Sequence, residues 1–186
     1  MENANDLLVM TEAELLAIWR RLLHLDPVRR ECTVERDDGI DVDDLMRIHL
    51  RRWYAQLLRT APLEWLPVED LSAEVAVSVD AEGVVTAVLP ERCVRPVEWQ
   101  LAGWAHGVTA FEPPESAVAR RQLNAWTRGG TQQPVAVAHD DRLMLYSLPA
   151  GVQPVLMMAR CVAAPDDGRY ALRHDALATL PKMDGL

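Results

Sequence analysis

An α+β fold is what the sequence predicts: two N-terminal helices packed on a small, mostly antiparallel β-sheet or open barrel of six or seven short strands. Three observations lead to it. Apolar residues recur at helical spacing up to about Arg59. From Ala73 they alternate with period two, and Pro, Gly and Asp clusters then cut the chain into short segments. Finally, 186 residues at 49% hydrophobic and 25% charged are globular in composition. A chain of that length buries about 70% of its unfolded surface and needs no disulfide or metal to hold a core. The expected organisation is a helical hairpin over residues 1–60, a β-rich part of the same domain over 61–165, and a C-terminal tail over 166–186.

Thr11-x-x-Glu14 reads as a capping box, in which each side chain satisfies an orphan N–H of the first turn. The helix it opens is expected over Glu12–Leu25, with Leu15, Ile18, Trp19, Leu22 and Leu23 on one face. Asp26-Pro27 ends it. The acidic loop Glu35–Asp44 invites a calcium reading, but Asp37, Asp38, Gly39, Ile40 and Asp41 break the ligand spacing that an EF-hand requires. Asp41 as a helix cap, with acids in the first turn, is the stronger account. The second helix is expected over Val42–Arg59. Its apolar stripe is Leu45, Ile48, Trp53 and Leu57, widened by Met46, Leu50 and Leu58, and Asp43, Arg47 and Arg51 are spaced for an exposed ion ladder.

After the Pro-punctuated connector Ala61–Leu71, a β-hairpin is expected over Ala73–Leu89, turning at Ala81-Glu82-Gly83. Cys93–Leu101 is the third strand, with Pro96 placing its first part at an edge or bulge. Ala105–Phe111 is a fourth strand, and Glu115–Trp126 a short helix or irregular excursion. Pro134–His139 and Arg142–Leu148 form a second hairpin, and Pro154–Ala163 a last, nearly all-apolar strand. Tyr170–Leu180 is a weak helix or an extended segment. Val88–Trp104 forms the hinge of this architecture, where Trp99 and Trp104 are expected to anchor the sheet to the helices.

The net charge is −9, which argues against a non-specific DNA or anionic-membrane binder and favours protein partners. Lys182 is the only lysine among 19 basic residues, so lysine-based chemistry has one candidate. Cys32, Cys93 and Cys161 are widely spaced and suit reduced thiols in a cytoplasmic protein. The first residues lack the basic start of a signal peptide, and no apolar run reaches the ~18 residues of a membrane span. None of the five histidines stands at a zinc-ligand spacing, and no nucleophile-elbow, zincin or phosphate-loop motif occurs. No catalytic, metal or cofactor residue is therefore assigned. Cys93, flanked by Arg92 and Arg95, and His106 are the residues an enzyme would use. Arg47, Arg51, Arg52 and Arg59 on the second helix, with Arg128 in the loop Thr127–Gln133, are the candidate interface residues.

The order of the segments LLRTAP, EWLP, a hairpin, VLPERCVRPVEWQLAGW, and then NAWTRGGTQQPVAV to LMLYSLP resembles that of head–tail adaptor proteins of tailed bacteriophages and prophages, over about residues 40–163. The resemblance implies a non-enzymatic virion assembly protein that forms a ring with copies of itself, contacts portal and tail proteins at the neck, and lets DNA pass without reading its sequence. Members usually close on a substantial C-terminal helix. Tyr170–Leu186 is short and broken by Pro181, so no portal-contact residue carries over. The alternative reading is a small bacterial ligand-binding or regulatory module, with its site near Trp53 and Trp99.

Overall fold

The computed structural model describes residues 7–23, 42–165 and 167–182, and in that span the fold is α+β. In chain order the elements are β1 (Leu8–Met10), α1 (Glu12–Leu22), α2 (Val42–Thr60), a 3-10 turn (Leu63–Trp65), β2 (Val68–Asp70), β3 (Ala76–Val79), β4 (Val85–Val88), β5 (Cys93–Leu101), β6 (Phe111–Glu112), α3 (Ala117–Gln122), β7 (Val135–Ala138), β8 (Arg142–Tyr146), β9 (Leu156–Ala163), β10 (Tyr170–Leu172) and a second 3-10 segment (His174–Thr179). Ten short strands thus stand where six or seven are expected, because β1, β2 and β10 carry no period-two pattern long enough to read. The calcium reading of Glu35–Asp44, the Asp26-Pro27 stop and Cys32 lie wholly or mostly outside the described residues. No helix among those residues is long and apolar enough to cross a membrane.

The chain divides into two compact units. One comprises Met1–Pro67 with Ala164–Leu186, the other Val68–Ala163. This differs from the expected division at residues 60 and 165 in one important respect. The segment read as a tail belongs to the helical unit.

In the helical unit the capping box is present: Glu14 N–H donates to Thr11 Oγ1 at 3.3 Å and Thr11 N–H to the Glu14 carboxylate at 2.8 Å. The buried face of α1 is Leu15, Leu16 and Trp19, while Leu22 is 56% exposed. On α2 the buried residues are Met46, Leu50, Tyr54, Leu57 and Leu58. The stripe therefore runs about one residue round the helix from the expected one, and Ile48, about 200° from Met46 at 100° per residue, is 47% exposed. The expected Asp43–Arg47–Arg51 ladder does not form. Asp43 pairs with Arg20, and Glu12 receives Arg51 in a fork at 2.7 and 3.0 Å.

Residues 170–181 close this unit. β10 pairs antiparallel with β1, Leu8 opposite Leu172 and Met10 opposite Tyr170. The Tyr54 hydroxyl accepts from Ala171 N–H at 2.9 Å and donates to Ala171 C=O at 3.1 Å. The Tyr54 and Tyr170 rings pack with centroids 4.7 Å apart and tilted by 58°, a favoured aromatic geometry. Tyr170 Oη donates to Glu12 at 3.1 Å, Trp19 Nε1–H to Pro181 C=O at 2.9 Å, and Trp53 Nε1–H to Thr179 Oγ1 at 3.2 Å.

The second unit holds two sheets, one of three strands in the order β2-β9-β5 and one of five in the order β3-β4-β8-β7-β6. Both expected hairpins form, β3 with β4 and β7 with β8. The first turns at Gly83, whose φ is +79° and whose added Cβ would meet Leu148 O at 2.6 Å; only glycine fits there. β5 spans the expected residues. Pro96 sits on a strand at the sheet's edge, beside a register shift between Pro96 and Glu98, where a missing N–H does the least harm. The expected strand Ala105–Phe111 reduces to a bridge between Trp99 and Val108 and to the two residues of β6, which pairs parallel to β7. Glycine at 107 and small or polar residues around it give that stretch too little to pack.

One core cluster joins the two sheets: Val85, Ala87, Leu143 and Leu145 from one, Trp99, Leu101, Ala159 and Cys161 from the other. Trp99 and Trp104 are buried within this unit's own core, where the sequence reading has them anchoring sheet to helices. The outer face of the five-stranded sheet carries a second cluster, in which Ala119 of α3 meets Val84, Val137 and Tyr146.

Two outcomes follow for the helical unit. Tyr54→Phe keeps the ring packing but strips both backbone groups of Ala171 of their partner, so it should cost about 1–3 kcal/mol, read as a lower urea midpoint at unchanged slope. Glu12 is held below its ordinary value of 4.5, chiefly by the Arg51 hydrogen bond, against the opposing pull of burial. A depressed carboxyl contributes stability that is complete above the unfolded-state value and is lost as pH falls through the folded one. Urea midpoints measured from pH 7 down through this range should fall less steeply for Glu12→Gln than for the wild type.

Candidate functional site

The arginines proposed for an interface do not act as one cluster. Arg47 pairs with Asp44 at 2.7 Å and approaches Glu12 at 3.7 Å, and Arg51 is forked on Glu12. Both are committed within the helical unit. Arg52 and Arg59 are exposed on the same helix. Arg128 belongs to the other unit and is largely covered, its side chain being only 10% exposed. Its guanidinium donates through Nε to Gln122 C=O at 3.0 Å, and through its terminal nitrogens to Glu82 C=O at 2.8 Å and the Glu82 carboxylate at 3.2 Å. It also lies 5.7 Å from the centre of the Tyr146 ring, a cation–π distance.

Arg128 holds the segment that follows α3. Ser116 caps the helix, its Oγ accepting from Ala119 N–H at 2.9 Å. At the far end Gln122 is buried; its side chain donates to Val118 C=O at 3.1 Å and accepts from Gly129 N–H at 2.9 Å. A Cβ at Gly129 would lie 2.5 Å from Gln133 O, so the close approach requires glycine. Between these anchors Asn124 Oδ1 accepts from Trp126 N–H at 2.9 Å, and Thr127 Oγ1 donates to Arg121 C=O at 2.6 Å. The result is a short ledge whose backbone is bonded at nearly every residue. Its side chains nevertheless point apolar surface outward: Leu123 is 74% and Trp126 95% exposed. Arg120 and Arg121 are exposed beside them and form no ion pair among the described residues.

At the other end of α3 lies an open depression of about 270 Å³, lined among others by His106, Val108, Glu112, Val118, Pro134 and Val135. Its lining is mostly apolar. Glu112 on the lining and Glu115, three residues on in the chain and exposed, form no ion pair among the described residues.

The residues that an enzyme would use are not brought together. Cys93, half-buried, lies against the buried Cys161 across β5 and β9. That thiol–thiol contact lowers Cys93, while the same contact and burial raise Cys161 well above its ordinary range. His106 is exposed and its Nδ1 lies 3.0 Å from the neighbouring Gly107 carbonyl. Trp53 and Trp99, named for a ligand site, fall in different units, and Trp99 is fully buried. Among the described residues no group of three or more His, Cys, Asp or Glu is placed to hold a metal ion.

The Leu123–Trp126 ledge escapes a sequence reading because ESAVARRQLNAW resembles any marginal amphipathic helix, whose Leu and Trp should face inward. A usable signal is the Asn-x-x-Thr spacing after the helix, which favours local side-chain-to-backbone bonds over further helical turns. Compared with family models, curated proteins and solved structures, the chain finds no match in any of the three.

Arg128→Ala should release the ledge. Losing its charge-assisted bonds raises the population of open ledge about tenfold or more, seen as faster amide exchange over residues 123–130. Arg128→Lys should not restore protection, because an ammonium cannot bridge three acceptors as the planar fork does. Unchanged exchange in Arg128→Ala would show that the ledge stands without it.

Proposed function

We propose that this chain is a non-enzymatic structural protein that works by associating with other protein chains, copies of itself first, in the manner of a phage or prophage head–tail connector. The observation that carries the reading is the exposed Trp126 on a bonded ledge. Burying a large apolar side chain is worth about 1.5–3 kcal/mol. Here the chain instead spends hydrogen bonds on keeping an indole in water. Tryptophan, with arginine, is the residue type that dominates protein–protein hot spots, and a pre-ordered backbone lowers the entropy lost on docking. The segment order that resembles head–tail adaptors supports the ring-forming role, with portal and tail proteins as further partners and the virion as the location. A net charge of −9 suits a ring through which DNA slides, since it repels phosphate.

A small-ligand reading has the open depression beside α3 in its favour. That hollow is shallow, and its exposed rim suits a side chain of another protein better than an enclosed metabolite.

Light scattering and mass photometry over a concentration series decide between association and isolation. The expected result is a discrete closed oligomer, visible as rings by negative-stain electron microscopy. A protein that stays monomeric at every concentration would refute the reading.

A further inference from the structure

The knob and the hollow sit at opposite ends of one short helix. α3 has six residues, about 9 Å of rise, and places Val118 on the lining of the depression and Leu123 at the start of the ledge. Arg128, Gln122 and Gly129 fix the ledge in place, so Trp126 does not fold back into its own chain's hollow. Both features belong to the unit Val68–Ala163.

Their chemistry is complementary. Leu123 and Trp126 offer an apolar knob that follows Arg120 and Arg121 in sequence, and the depression offers a mostly apolar lining that includes Glu112, with Glu115 three residues further along the chain. All four charged groups lack an ion-pair partner among the described residues. Elsewhere in this unit Arg128 pairs with Glu82, Arg160 with Glu98, Arg142 with Asp141 and Arg92 with Glu69. Arg120 and Arg121 thus stand without an ion pair beside the knob, and Glu112 without one on the lining of the hollow.

We propose, building on the self-association reading, that the Leu123–Trp126 ledge of one copy seats in the depression beside α3 of a second copy, with Arg120 and Arg121 facing Glu112 and Glu115. Each copy carries one knob and one seat, so the contact is head-to-tail. Such contacts propagate and close into a ring when the rotation per step permits. The charged rim fixes which face meets which, and the indole supplies most of the affinity.

The test uses full-length protein in sedimentation equilibrium, comparing wild type with Leu123→Ala/Trp126→Ala, Arg120→Glu/Arg121→Glu and Glu112→Arg/Glu115→Arg. All substituted side chains are exposed or on the rim, and circular dichroism checks that each variant is folded. The apolar variant should associate at least about tenfold more weakly, the size expected on removing a tryptophan hot spot. Each charge reversal should weaken association alone, and the two reversed variants should associate with one another when mixed. If the wild type assembles and the apolar variant assembles equally well, the surface is wrong and self-association stands. If the apolar variant fails but the reversed variants do not complement, the knob seats elsewhere and the pairing is overturned. A wild type that never associates sinks both ideas.

Discussion

One phenol hydroxyl closes the helical unit. Tyr54 lies buried on α2 and satisfies both backbone groups of Ala171. Two helices of this size cannot bury a two-sided apolar face by themselves, and α1 buries only Leu15, Leu16 and Trp19. The missing surface comes from residues 170–181, which reach α2 only after the chain has traversed the whole second unit. A segment that arrives from so far away in sequence brings unsatisfied backbone with it. Here each exposed demand meets a side chain or strand: Ala171 meets Tyr54, Pro181 C=O meets Trp19, and Leu172 pairs with Leu8. Burial holds the Tyr54 hydroxyl protonated, its pKa pushed up to about 12, so it remains both donor and acceptor across the physiological range. Tyr170, pushed up to about 12 by burial, keeps its proton for Glu12, and Glu12 in turn anchors Arg51. The arginines that look like an interface on a helical wheel are thereby spent on closing the unit.

The second unit solves a different problem, that of covering both faces of a five-stranded sheet. Along β4 and β8 the residues Val85, Ala87, Leu143 and Leu145 face the three-stranded sheet, and the intervening positions face outward. Trp99 fills the centre, and its cross-strand partner Ala159 is small, which leaves room for the indole between layers. Trp104 Nε1 is buried without a hydrogen-bond partner among the described residues. Of the buried indoles, Trp19 has a partner in Pro181 C=O, whereas Trp99, like Trp104, has none among the described residues.

What was legible follows from how local its cause is. The capping box, both hairpins, β5 and the displacement of Pro96 to an edge depend on a few neighbouring residues, and each is readable from them. The helix faces were displaced because Leu45 and Ile48 carry the same apolar label as Met46 and Leu50; which side is buried is decided by Tyr54, and Tyr54 by Ala171, 117 residues away. The return of residues 170–181 was unreadable for the same reason: three-residue strands have no period. Of the candidate interface arginines, Arg47, Arg51 and Arg128 are explained by partners from other parts of the chain. The residues that replace them, Leu123 and Trp126, were hidden by a pattern that ordinarily means burial.

The charge distribution sharpens the case for where another chain would meet this one. A protein at −9 repels its own copies, so any contact between them has to place cations against anions or be weak. Most exposed arginines cannot help, because they are already paired within the chain and re-pairing across an interface gains little. Arg120 and Arg121 are different. They precede the most exposed tryptophan by a few residues, are themselves exposed, and form no ion pair among the described residues. Contact that covers Trp126 also lowers the dielectric around those guanidinium groups, strengthening their attraction to Glu112 and Glu115 at the same moment. The apolar and electrostatic terms therefore reinforce one another only in the geometry that brings knob and hollow together, and that coupling gives the surface its selectivity.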